Sequence, residues 1–197
     1  MTVSFIINQA RTGELRSLSE IDKTDEVVVS YINLGLIELY KRFNVLTKVE
    51  VIKTSPVTPV YTLRAMDVNQ VVSVYDSDNK ELINKRNLED TDYDIVQINY
   101  NTFMLTTPLD EELLFVYKAA PIIVTGTNDE VELPYAMLEA LLHYIGYRAH
   151  GSVNGNVDKE NNTHYMRFEK SCALLVSEGY EIDTLNISSS VQAKGFV

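Results

Sequence analysis

Hydrophobic positions change their period twice along the chain. Near both ends they recur every three or four residues, the period of a helix with one buried face, and through the middle they alternate as in a half-buried strand. The strongest helical stretch is 133–178. Leu133-Pro134 opens it, because proline at the first helical position gives up an N–H that has no partner there. Leu138, Leu141, Leu142 and Ile145 form its apolar stripe. The run Gly151-Ser-Val-Asn-Gly-Asn156 predicts a turn, since two glycines and the competing Ser and Asn side chains disfavour helix. Asp158 is placed to cap the next helix with Glu160 in its first turn; Tyr165, Phe168, Cys172 and Leu175 make its inner face, and Gly179 stops it. At the other end, Thr2 to about Leu18 predicts a helix buried through Val3, Ile6, Ile7, Ala10 and Leu15, with a weak point at Gly13. After the polar connector Ser19–Lys23, Thr24 or Asp25 caps a helix over 26–43 whose stripe is Val28, Ile32, Gly35 or Leu36, Leu39 and Phe43, flanked by Tyr31 and Tyr40.

Between these helical pairs, β-branched and aromatic runs at 49–54, 60–63, 71–75, 94–100, 103–106 and 113–117 predict strands. Pro56 and Pro59 mark a turn or a sheet edge, and Asp76-Ser-Asp-Asn79, Asn99-Tyr-Asn101 and Pro108-Leu-Asp110 are turn signals. A last strand-like run, Lys118–Thr125, leads back to the helices. Short strands at this spacing build an antiparallel sheet or small sandwich, so the fold class is α+β. The expected organisation is an N-terminal helical pair (1–48), an inserted β-rich module (49–130), and a C-terminal helical pair (131–179) that packs with the first as one antiparallel bundle. An extended arm, 180–197, follows; its alternating apolar residues and Ser188-Ser-Ser190 are too weak to fold alone and order only on a neighbour.

Composition narrows the function. The chain is 45% hydrophobic and 23% charged, ordinary values for a globular domain, and its length buries roughly 70% of the unfolded surface without metals or disulfides. No apolar run approaches the roughly 20 residues of a membrane span, and Met1-Thr-Val-Ser lacks the basic start of a secretion signal, so a soluble protein of a reducing compartment is expected. A net charge of −11 with scattered Lys and Arg opposes phosphate-driven nucleic-acid binding. Phosphate-loop, dinucleotide and nucleophile-elbow motifs are absent, and one cysteine excludes a thiolate zinc site; Cys172 reads as a small buried hydrophobe. Glu139, His143 and His150 share a helical face and with His164 would offer metal ligands, although the H-E-x-x-H order is missing. The acidic group Glu89, Asp90, Asp92 and Asp94 would hold a divalent ion or act in acid–base work, but reads first as a solvated loop before a strand. No metal, cofactor or catalytic residue is assigned. Tyr135, Tyr144 and Tyr147, with Arg148, read as a lateral protein interface, because tyrosine buries area at small entropic cost.

Two pairs of segments carry a family resemblance. Thr2-Val-Ser-Phe-Ile-Ile-Asn-Gln-Ala-Arg11, a polar connector and Val27-Val-Val-Ser-Tyr-Ile-Asn33 resemble the start of head-to-tail adaptor proteins of short-tailed bacteriophages. Leu133-Pro-Tyr-Ala-Met-Leu-Glu-Ala-Leu-Leu-His-Tyr-Ile-Gly-Tyr-Arg148 and Asn162-Thr-His-Tyr-Met-Arg-Phe-Glu-Lys170 are similar to their second helical pair. The resemblance covers the helical ends, about half the chain, while the β-rich middle departs in length and detail. It implies a non-enzymatic virion subunit made in the host cytoplasm. Copies of it would form a ring, usually twelvefold, beneath the portal protein; the ring prolongs the DNA channel without binding DNA specifically and carries tail or nozzle proteins. The family's C-terminal arms reach onto portal subunits, a role for which Tyr180, Ile182, Leu185, Ile187, Val191 and Phe196 suit this tail. No functional residue carries over by motif. The alternatives are a tail-completion or stopper subunit and, in a different class, a metal-dependent hydrolase using the acidic loop or the histidine face.

Overall fold

The computed structural model describes residues 1–84, 93–107, 109–154 and 162–180. Among them the chain forms four α-helices and six strands, and it divides into two compact units: Met1–Val45 with the described residues from Pro121 onward, and Leu46–Ala120. The fold is mixed, with helices in the first unit and antiparallel sheets in the second.

In the helical unit, α1 (Val3–Thr12) buries Val3, Ile6, Ile7 and Ala10, the stripe its period predicts. It is shorter than the expected 2–18, because Gly13 ends it as the C-cap and the chain turns. Leu15 is nevertheless fully buried, held by its N–H donating to the Ala10 carbonyl at 2.8 Å. The first amides of α1 find partners outside the helix: Val3 and Ser4 donate to the Asp129 and Thr127 carbonyls at 2.9 and 2.8 Å. After a 3₁₀ turn at Ile21–Lys23, α2 (Asp25–Arg42) buries Val28, Ile32, Gly35, Leu36 and Leu39, with Phe43 just past its end. Thr24 stands at its N-cap but its hydroxyl makes no capping bond. Asn33 on α2 pins the returning chain by matching both backbone groups of Val124, donating to its carbonyl at 2.8 Å and accepting its N–H at 2.9 Å.

Two helix boundaries differ from expectation. The proline-led start is a 3₁₀ turn, Tyr135–Met137, with α3 proper at Leu138–Asn154. That helix runs through Gly151 instead of turning there: Ser152 Oγ donates within the helix to the Ala149 carbonyl and meets the Tyr31 hydroxyl of α2 at 2.8 Å, a tertiary bond that holds the last turn. Asp158 and Glu160 lie outside the described residues. The residue that caps α4 (Thr163–Ser177) is Asn162, whose side-chain oxygen accepts the His164 and Tyr165 N–H groups at 2.9 and 3.3 Å. Gly179, at φ +95°, closes α4: its own N–H donates to Val176 and that of Tyr180 to Leu175, the paired bonds of a Schellman ending. Helix α3 packs against each of the other three.

The second unit holds two three-stranded antiparallel sheets. One has the order β1 (Thr47–Lys53), β6 (Glu112–Ala119), β3 (Val68–Tyr75); the other has β2 (Val60–Thr62), β5 (Thr102–Leu105), β4 (Ile95–Asn99). Strand β6 alternates cleanly, burying Leu113, Phe115, Tyr117 and Ala119. Both sheets feed one core in which Phe103 of β5 and Phe115 of β6 meet at 5.3 Å between ring centroids. The expected strand over 118–125 stops at Ala119, where the Asn33 side chain takes over the partnering that a ladder would have given Val124.

Candidate functional site

Helix α3 carries His143, Gly146 and His150 at spacings of three and four, so one face presents two imidazoles with a gap between them. The turn after α1 places Glu14 into that gap. A methyl group on Gly146 would lie 2.8 Å from His164 Nδ1 and 3.0 Å from Glu14 Oε2, so only glycine admits this approach. Glu14 then gathers all three histidines of the chain. His143 Nδ1–H donates to Oε1 at 3.1 Å, His164 Nδ1–H to Oε2 at 2.5 Å, and His150 Nε2–H to the Glu14 backbone carbonyl at 2.9 Å. The His150 and His164 rings stack at 4.4 Å with only 8° between their planes. The side chain of Glu14 is 15% exposed, and the cluster joins the post-α1 turn to both α3 and α4. Burial holds the His164 imidazole below its ordinary value, with His150 adding to burial and the Glu14 carboxylate pulling the other way.

Beside the cluster lies an open pocket of about 470 Å³ lined by Gly13, Glu14, Arg16, Ser17, His150, His164 and Arg167. Arg167 reaches Glu14 Oε1 only at 3.7 Å and is half exposed.

The structure thus brings His143, His150 and His164 together, but around a carboxylate from a segment that the sequence reading left out of the site. The signals present were the glycine between two histidines on one helical face and an acid placed just after a helix-ending glycine. Glu139 lies 3.5 Å from His143 Nε2, so both nitrogens of that ring face carboxylates. Among the described residues, no group of three or more His, Cys, Asp or Glu side chains is arranged to hold a metal ion. Of the acidic loop, Glu89, Asp90 and Asp92 lie outside the described residues; Asp94 accepts the Ile83 N–H at 2.9 Å, a loop-fixing bond.

The interface tyrosines separate by position. Tyr135 is 70% exposed and meets Phe5 edge-on at 6.3 Å. Tyr144 and Tyr147 face inward, at 9% and 2% exposure, because they lie on the flank of α3 that packs against α4. There Tyr144 packs on Phe168 at 5.1 Å and Tyr147 on Tyr165 at 5.0 Å. Arg148 lies beside Tyr147, partly exposed, with its guanidinium 5.9 Å from the ring centre. Arg42 of α2 closes this aromatic group from the other side, 4.7 Å above Phe168, while bonding Glu38, Glu169 and Tyr165. Cys172 is buried beneath it, and burial pushes its thiol up to about 12, far from the range of a nucleophilic thiolate. Tyr180 is half-buried at the end of the α4 cap; Ile182, Leu185, Ile187, Val191 and Phe196 lie outside the described residues. No helix among the described residues is long and apolar enough to cross a membrane.

Comparison with known families finds a match over residues 1–184 to the family model described as SU10 adaptor protein. No curated protein matches the chain.

Proposed function

Because the chain belongs to the SU10 adaptor protein family, we propose that it is the repeating subunit of a phage head-to-tail adaptor. In this reading, copies of it form a ring, usually twelvefold in such assemblies, seated below the portal; the ring prolongs the DNA channel and carries tail or nozzle proteins. The observation that carries the reading is the extent of the family match, which runs from the first helix through both units to residue 184. It is a structural role, located in the virion.

The physical chemistry agrees in kind. A ring subunit needs two different lateral faces that mate around a closed circle, not a catalytic cluster. Exposed Tyr135 and partly exposed Arg148 are the lateral candidates, whereas Tyr144 and Tyr147 act from inside by stiffening the α3–α4 face that would present them. The −11 charge favours an acidic channel wall past which DNA moves without sticking. An assembled ring whose wall is lined mainly by Lys and Arg would refute that part.

Negative-stain imaging and sizing of the purified protein, alone and with the portal protein of the same phage, test the reading. Rings, or assembly that depends on portal, are the expected result; a persistent monomer indifferent to portal would overturn it. The arm has its own test. Deleting residues 181–197 is expected to abolish portal attachment while leaving the unfolding transition in place, and undiminished attachment would remove the arm from the proposal.

A further inference from the structure

The pocket beside Glu14 has a chemistry that the cluster itself does not use up. The Glu14 carboxylate accepts from His143 and His164 and stands 3.7 Å from Arg167, so it offsets at most one of the two guanidinium charges that line the pocket. The Arg16 N–H donates to the Gly13 carbonyl at 3.2 Å, but its guanidinium makes no hydrogen bond or ion pair with any described residue, and the Arg167 guanidinium has only the 3.7 Å approach to Glu14. The Ser17 hydroxyl also lines the space. Two permanent guanidinium charges, one of them without a partner, therefore face an opening in a molecule whose net charge is −11. Carboxylates are the counter-charge most abundant on such a chain and on any acidic neighbour. Guanidinium and carboxylate also pair through parallel, charge-assisted hydrogen bonds.

From this we propose that the pocket is a carboxylate-binding site that receives a single Asp or Glu side chain from an acidic protein partner. Arg16 and Arg167 hold the carboxylate, and Ser17 donates to it. The volume of about 470 Å³ and the exposure of Arg167 admit a side chain together with the backbone that bears it. A nucleic-acid phosphate fits less well. Its binding draws on many Lys and Arg along a track, and here two arginines line a single pocket in a chain whose Lys and Arg are otherwise scattered. The proposal stands on the chemistry of the pocket and does not require ring formation.

The three histidines make a direct reporter, because their ring C–H signals are few enough to resolve by proton NMR and two of them line the pocket. The full chain is titrated at constant ionic strength with N-acetyl-glutamate α-amide, and separately with its glutamine analogue, inorganic phosphate, free glutarate and a short DNA duplex. The expected result is saturable movement of the His150 and His164 signals with the glutamate compound and none with the glutamine analogue. The R16Q/R167Q double variant should bind at least about tenfold more weakly, as loss of charge-assisted hydrogen bonds implies. R16Q alone, a change at a side chain that bonds no described residue, gives the same test without disturbing Glu14. Three results overturn the proposal: no movement with the glutamate compound, equal movement with the glutamine analogue, or unchanged binding in the variants. If phosphate, glutarate or duplex acts at a lower concentration than the glutamate compound, the occupant is not a protein side chain and the proposal fails.

Discussion

At the scale of single residues, Glu14 stabilises the helical unit more than any surface ion pair would. Its side chain is 15% exposed, its carboxylate accepts ring N–H groups from His143 on α3 and His164 on α4, and its backbone carbonyl accepts that of His150. Removing its charge while keeping its shape tests this. Glu14→Gln is expected to destabilise the protein by about 1.5–3 kcal/mol, the worth of a hydrogen bond to a charged group, as a lower urea midpoint at pH 7.5. Equal midpoints would mean that the cluster is not a stabilising junction. His164 adds a pH dependence whose sign follows from the direction of its shift. Its folded value is depressed, so on acidification the unfolded chain takes up the proton first. The contribution is complete above about pH 6.5 and is lost as pH falls through the depressed folded value. Urea midpoints at pH 7.5 and 5.5 should drop more in the native protein than in His164→Asn; the same drop in both would place the effect elsewhere.

At the scale of elements, helix α3 packs on all three of its neighbours, and two of the close approaches depend on glycine. Gly146 admits Glu14, and Gly35 of α2 admits α3: a methyl group there would fall 2.5 Å from Leu141 Cδ1, a fully buried side chain without room to move. Gly35→Ala therefore sets two effects against each other. Alanine gains about 1 kcal/mol in helix propensity, while overpacking costs about 1–3 kcal/mol. Because the contact is as close as 2.5 Å, overpacking falls in the upper half of that range, and a net destabilisation of roughly 1–2 kcal/mol is expected in chemical unfolding. A neutral or stabilised variant would show that α2 and α3 do not meet this closely. The strands tell a simpler story. Leu113-Leu-Phe-Val-Tyr117 is apolar throughout, so the sequence marks the strand but not its inward face; the structure buries Leu113, Phe115 and Tyr117, and a shift of one residue would have turned all three out of the core.

At the scale of the molecule, the β unit begins and ends at one place. Thr47 pairs with Lys118, and the Ala119 N–H donates to the Leu46 carbonyl at 2.9 Å, so the chain leaves the helical unit and returns to it through adjacent residues. Replacing Leu46–Ala120 with a linker of about three glycine and serine residues should therefore span the gap without strain. Cooperative unfolding and a helical circular-dichroism spectrum are expected from the product, since each unit has a core of its own. Loss of cooperativity would mean that the helical unit depends on the insertion.

The sequence by itself determined the element types, because period and turn chemistry are local: a 3.6-residue stripe can bury only one helical face, and alternation only one strand face. It also determined the apolar stripe of α1, the stop at Gly179 and the turn at Asp76–Asn79, where Asn79 adopts φ 60° and Asp76 accepts the Lys80 N–H at 2.8 Å. It did not determine where α3 ends, since Ser152 and Tyr31 are 121 positions apart and their contact outweighs the local preference of Gly151 for a turn. Nor did it decide which tyrosines face inward. Tyr144 and Tyr147 lie within α3 and are buried by the seating of α4 on it, whereas Tyr135 stands exposed in the 3₁₀ turn before α3. The Glu14 cluster is the furthest from local legibility. Its partners stand 129 to 150 positions away, and nothing but the packing of α3 and α4 against the turn after α1 brings one carboxylate and three imidazoles to the same point.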